Sequence, residues 1–125
     1  MATSELQAVV RERDGVAVID LTGEVNASAE EALNDAYAAA TAGGGGSVVL
    51  NFEHADYINS TGIALIVGLL AQARKNGIEV KAFGLSDHYR EIFEITRLAD
   101  FMTITDDEDR ALGTSPRAMG GSSDA

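Results

Sequence analysis

The apolar positions of this chain change their period several times, and each change marks an element. Leu6 to Glu12 reads as a first strand. In Val16 to Thr22, Ala17, Ile19 and Leu21 alternate with Val16, Val18 and Asp20, the period of two that suits a sheet. Gly15 lies between the two runs and marks a turn, so the pair predicts a hairpin. Ser28 and Glu31 then have the S-x-x-E spacing of a capping box. Leu33, Ala36, Tyr37 and Ala40 follow at helical spacing, which predicts a first helix to about Thr41 that stops in Gly43 to Gly46. Val48 to Phe52 is an almost unbroken apolar run, as in a strand buried on both faces. A loop from Glu53 to Ile58 leads to the stretch INSTGIALIVG, where Asn59 or Ser60 is the N-cap of a helix that runs to about Asn76 and stops at Gly77. Ile78 to Gly84 predicts another strand, Ser86 caps a third helix from Asp87 to about Thr96, Phe101 to Thr105 predicts a short strand, and Asp106 to Leu112 an acidic helix.

The order β-β-α-β-α-β-α-β-α predicts an α/β fold with a mixed sheet. Residues 1–5 read as an N-terminal tail, 6–112 as one domain and 113–125 as a disordered tail. Functional loops in such sheets gather beyond the C-terminal ends of strands, and Ser60 lies just beyond one.

The helix after Ser60 has two unusual faces. On a helical wheel Ile63, Ile66, Val67, Leu70 and Ala73 form one apolar stripe, predicted to face the core. Thr61, Leu65, Gly68, Leu69 and Gln72 fall roughly opposite, with no charge among them. Two readings follow: another element of the chain covers this second face, or it is a partner surface that begins at Ser60.

Composition narrows the classes of function. The length, 125 residues, suits one domain, and 46% apolar residues can fill a core. The absence of cysteine excludes disulfides and thiolate chemistry. A net charge of −11 opposes binding to nucleic acid or to an anionic membrane. It serves solubility, or it fits a basic protein partner. The first residues contain no apolar signal core, and Gly62 to Ala71 is about half as long as a membrane helix of roughly 20 residues, so the expectation is a cytoplasmic protein.

Catalytic patterns are thin. Gly43 to Gly46 follow a helix and precede a strand, the reverse of a phosphate loop, and no Lys-Ser/Thr pair follows them. The residues around Ser60 are not a G-x-S-x-G elbow, and His54 and His88 supply no recognisable triad. His54 and Asp56 are too few to make a metal site. Asp106 and Asp107 sit in a terminal charge run rather than in acid–base machinery. The expectation is a non-enzyme with no metal and no cofactor.

The segments DLTGEVNASAEEAL, VVLNFEHADYINSTGIALIVGLLAQARKNG and GLSDHYREIFEITRLADFMTITDDEDRAL together resemble the anti-sigma factor antagonist family, the bacterial STAS domains, from about residue 6 to 112. The resemblance rests on the strand-loop-[DN]-S-[ST]-G-helix element, the L-x-G-x-[DN] turn and the third-helix pattern. It implies a STAS-type fold, with helices packed mainly on one side of a mixed sheet. It implies a protein that binds an anti-sigma factor, frees a sigma factor, and is switched off when that partner, acting as a serine kinase, phosphorylates Ser60. A phosphatase would restore it. Together, the motif and the uncharged helix face make Asn26, Asn59, Thr61, Gly62, Leu65, Gly68, Leu69 and Gln72 the expected partner-binding residues, and a weak homodimer is compatible with them. Family members often carry Asp where this chain has Asn26 and Asn59, a departure that implies a poorer kinase substrate or a constitutive antagonist. The resemblance also implies an alternative, a STAS module without the switch, bound to the ATPase of an ABC transporter or to a larger signalling assembly.

Overall fold

A computed structural model of the chain describes residues 5–113. The tail expectations for 1–4 and 114–125 lie outside the described residues. A single five-stranded sheet has the order β1-β2-β3-β4-β5, where β1 is Gln7–Arg13, β2 Val16–Val25, β3 Ser47–Ile58, β4 Glu79–Phe83 and β5 Thr103–Thr105. β1 pairs antiparallel with β2, and the remaining pairs are parallel. The hairpin closes through Asp14 and Gly15, whose φ angles of 53° and 80° suit the two-residue turn that matches strand twist.

Three helices lie on one face: α1 Glu30–Thr41, α2 Ser60–Lys75 and α3 Asp87–Ile95. Alternation along the strands sends Ile19, Leu21, Leu50 and Phe52 to this face, against Leu33 and Tyr37 of α1, Ile66 and Leu70 of α2 and Phe93 of α3. Phe93 meets Phe52 edge to face at 5.9 Å. Each such fully buried side chain contributes about 1.5–3 kcal/mol.

The opposite face carries a smaller cluster of Val18, Val49 and Phe83, covered by Ala111 of the short helix α4, Glu108–Gly113. Arg11 of β1 anchors α4 by bonding Glu108 at 2.6 Å, while Arg13 bonds the same carboxylate at 2.8 Å. Arg11 also holds Asp20 at 2.6 Å, and buried Asn51 donates to Asp20 at 2.8 Å. Burial alone would raise the Asp20 carboxyl, but these bonds outweigh it and lower it.

Three expectations change. The loop expected from Glu53 to Ile58 is the second half of β3, which pairs with Thr22 to Val25 through two register shifts. Its side chains Glu53, His54, Asp56 and Tyr57 are exposed, so their polarity suggests a loop; the backbone pairing comes from the neighbouring strand. The capping box does not form. Ser28 lies in a single 3-10 turn, Ala27–Ala29, and α1 starts after Ala29 with no side-chain cap.

The third change concerns the rotation of α2. Its buried residues are Gly62, Ile66, Leu69, Leu70 and Ala73, whereas Val67 is 47% exposed. Leu69, placed on the partner face by the wheel, is 5% exposed and belongs to the core. The cause is Gly62: a Cβ there would lie 1.9 Å from the Val25 carbonyl oxygen. Only a bare Cα permits that approach, so Gly62 faces β2, and Ile66, Leu69 and Ala73 follow it at helical spacing.

Candidate partner-docking site at the start of α2

The parallel pairing of β2 and β3 ends at Val25 opposite Ile58. Asn26 and Asn59 therefore each stand one residue beyond these two adjacent strand ends. The Asn59 amide donates to the Val25 carbonyl at 3.2 Å and fastens this corner. Tyr89 of α3 supports it from the other side, since its hydroxyl accepts from the Ile58 amide at 3.0 Å.

Each asparagine spends its side-chain oxygen on a backbone donor. Asn59 is the N-cap of α2, with φ −94° and ψ −177°, and accepts from Gly62 N–H at 2.8 Å. Its own carbonyl accepts from Ile63 N–H at 2.9 Å. Such a cap stabilises a helix by about 1 kcal/mol. Asn26 accepts from the Ser28 amide at 3.0 Å and its hydroxyl at 2.7 Å, and donates to Glu24 at 3.2 Å.

With the cap filled by Asn59, Ser60 is the first residue inside α2. Ser60 and Thr61 are both exposed. Neither hydroxyl makes a hydrogen bond with another of the described residues. The cap satisfies Gly62 N–H, while the first amides of the helix still point outward beside Ser60 with the positive end of the helix dipole.

From Ser60 the outer surface of α2 runs through Thr61, Ala64, Gly68 and Ala71, all exposed and uncharged. A Cβ at Gly68 would meet nothing within 4 Å, so no contact among the described residues requires a glycine there. Leu65, half-buried, and Gln72 flank this ridge, and with Leu33, Asn34 and Glu30 of α1 they line a groove of about 350 Å³. The carboxylates bordering the site are Glu24, through Asn26, and Glu30; no basic side chain lines the groove.

Of the residues expected at this site, the fold brings together Asn26, Asn59, Ser60, Thr61, Leu65, Gly68 and Gln72. Gly62 and Leu69 are buried and shape the site from beneath. Ala64 and Ala71 belong to the exposed ridge but were absent from the sequence expectation. Spacing could have found Ala64, four residues after Ser60, once Gly62 was recognised as facing inward. The other candidates lie elsewhere. His54 is exposed on β3, and His88 packs against Tyr89 with ring centroids 4.9 Å apart. Asp106 pairs with Arg90 at 2.8 Å, and Asp107 caps α4 by accepting from Arg110 N–H at 2.8 Å. Among the described residues no group of His, Asp and Glu could hold a metal ion, and no helix is long and apolar enough to cross a membrane.

Comparison with known proteins gives a consistent picture. The model of the STAS domain family matches residues 7–111. The anti-sigma-B factor antagonist of Staphylococcus aureus is 37% identical over 59 residues, covering 47% of this chain and 55% of that protein. The match thus spans about half the length of these curated relatives. BtrV of Bordetella bronchiseptica is 29% identical over 106 residues, 85% of this chain and 91% of that one. Among solved structures, an anti-sigma factor antagonist from Mycobacterium paratuberculosis superposes with a TM-score of 0.71 at 23% identity, over 89% of this chain and 94% of that one. The antagonist SpoIIAA in its unphosphorylated form gives 0.65 at 20% identity, over 91% and 99%. At these identities the structural likeness shows the fold.

Proposed function

Because this chain belongs to the STAS domain family, with anti-sigma factor antagonists among its sequence and structural neighbours, we propose that it binds an anti-sigma factor through the outer face of α2 and is released when Ser60 is phosphorylated. The observation that carries this reading is the state of Ser60. Its hydroxyl is exposed and unbonded at the first position of α2, because Asn59 already caps the helix. A kinase can therefore take it without breaking a structural contact.

The ridge behind Ser60 suits close docking. It is uncharged, and the open space at Gly68 lets a partner's backbone approach the helix. Glu24 and Glu30 at its border favour a partner with basic residues. A phosphate on Ser60 adds about −1.5 to −2 charges beside these carboxylates. Among the described residues no basic side chain lines the adjoining groove to balance it, so within a docked interface the phosphate is desolvated and repelled. A penalty of about 3 kcal/mol weakens binding more than a hundredfold. The helix amides can hold the phosphate without refolding, so the switch acts through charge.

Asn59 and Asn26 keep the geometry of the acids that family members often carry there. Each accepts the backbone N–H that a carboxylate would accept. What they lack is two negative charges, which also removes repulsion towards a phosphate.

The test uses the native host's anti-sigma factor with ATP, followed by mass spectrometry and binding measurements. Modification at Ser60, abolished in Ser60→Ala, and a hundredfold loss of affinity in Ser60→Asp are expected. No modification of Ser60, together with Ser60→Asp binding as well as the parent, would sink the switch.

A further inference from the structure

β3 outruns its neighbour β4, and the difference leaves a hollow. β4 pairs with β3 from Ser47 to Asn51, while β3 continues to Ile58. The Glu53 amide donates to the Asn51 side-chain oxygen at 2.9 Å. Gly84 carries the chain out of β4 at a φ of 85°, so close to β3 that a Cβ there would lie 2.6 Å from the Glu53 Cγ and 2.7 Å from its amide nitrogen. The Tyr89 hydroxyl ties α3 to the Ile58 amide at 3.0 Å. Beside these fixed points is a hollow of about 180 Å³, whose apolar lining is Phe52, Ala55, Ile58, Leu85 and Tyr89.

The charged groups of this lining have one sign. Glu53 and Asp56 both line the hollow and both are exposed. Neither carboxylate makes a hydrogen bond or ion pair with another of the described residues. No Lys or Arg lines the hollow, and His54 and His88, close in sequence, do not line it either. The positive end of α3 is answered within the chain: Ser86 accepts from Tyr89 N–H at 3.3 Å, and Asp87 lies in the first turn. The local charge therefore agrees in sign with the net charge of −11, and both attract a cation.

We infer that this hollow receives a basic side chain of the protein partner that docks at the head of α2. The alkyl stem lies on the apolar lining, and the cation meets Glu53 and Asp56, the division that long basic side chains favour. The inference deepens the proposed function and rests on it for the partner, but it does not require phosphorylation. Ile58 lines the hollow, and Asn59 alone separates it from Ser60, so the hollow adjoins the surface on which α2 begins. A basic partner is drawn to a chain of net charge −11, whereas a second copy is repelled.

The probe is the peptide acetyl-Gly-Arg-Gly-amide, titrated at millimolar concentration into the isotope-labelled full chain and followed by NMR. A peptide with citrulline for arginine keeps the shape and loses the charge. Shifts at Ala55 to Ile58 and Gly84 to Tyr89 are expected with arginine only, and should vanish in the Glu53→Gln/Asp56→Asn double variant. Both side chains are exposed and unpaired, so this variant should keep the parent's spectrum and Tm. Its affinity for the native host's anti-sigma factor should fall about tenfold or more, and by less as salt rises. Absence of shifts, equal shifts with citrulline or with magnesium ion, or full affinity of the double variant would overturn the inference. So would shifts at these residues that grow with the concentration of the chain alone, the mark of a second copy in the hollow. The two readings fail separately. Ser60→Asp binding like the parent sinks the switch and leaves the hollow, and an anti-sigma factor that ignores the parent sinks the proposed partner while the peptide still reads the hollow.

Discussion

Gly62 and Gly68 occupy one helix, yet alanine should act in opposite directions at the two. At Gly68 the added methyl meets nothing within 4 Å, and the position lacks a positive φ. A helix-interior glycine costs about 0.8–1.0 kcal/mol relative to alanine, because it loses more backbone freedom on folding. Gly68→Ala should therefore stabilise the fold by about 1 kcal/mol, a rise of about 4 °C in Tm for a domain of this size. At Gly62 the same propensity gain is available, but the methyl would sit 1.9 Å from the Val25 carbonyl oxygen and 2.6 Å from its carbon. The helix must move off β2 by an ångström or more. That strains the Asn59 bond to the same carbonyl and loosens the packing of Ile66 and Leu69. Overpacking typically costs about 1–3 kcal/mol, and a lost hydrogen bond about 1 kcal/mol. Gly62→Ala should thus destabilise by roughly 1–3 kcal/mol net. Urea unfolding of both variants at one temperature measures the difference directly. A Gly62→Ala protein as stable as Gly68→Ala would refute the account of how α2 is rotated. The pair also separates stability from docking, since Gly68→Ala should fold better while binding the partner of the α2 ridge less well.

Hydrogen bonds from Arg11 and then Arg13 lower the Glu108 carboxyl from 4.5 to about 2. A lowered folded-state value confers stability that is complete above about pH 4.5 and lost as the pH falls towards 2. After allowance for the partly exposed arginines this is roughly 1–2 kcal/mol, so Glu108→Gln should lower stability at pH 7 and flatten the acid limb of the stability curve; an unchanged limb would contradict the anchor. Asn59→Ala removes the acceptor of Gly62 N–H and should cost about 1 kcal/mol in chemical denaturation, whereas Asn59→Asp, which keeps the acceptor, should not. Leu69→Ala should cost about 2–5 kcal/mol, and Leu65→Ala, half-buried, distinctly less; equal costs would show that the two leucines share one environment.

Much of the architecture is legible in the one-dimensional pattern. Alternation in Val16 to Thr22, the apolar run of Val48 to Phe52 and the spacing of Leu33, Ala36 and Tyr37 specify strands and helices, because burial on one face imposes a period on the chain. The site was legible as a short motif at a strand end. What could not be read there depends on neighbours far away in sequence. Glu53 to Tyr57 have loop-like polarity, and only pairing with Thr22 to Val25 makes them a strand. Ser28 and Glu31 have capping-box spacing, but Asn26 captures the Ser28 amide first.

The same division holds for function. The chain's own residues determine an acidic α/β domain with a hydroxyl pair at the head of an apolar helix, since composition and period need no partner to be expressed. Only the tertiary structure decides that Asn59 caps, that Ser60 is free, and that Leu69 is core while Ala64 and Gly68 face outward. A helical wheel gives relative angles but no origin, and here the origin is set by one contact: the bare Cα of Gly62 against the carbonyl of Val25.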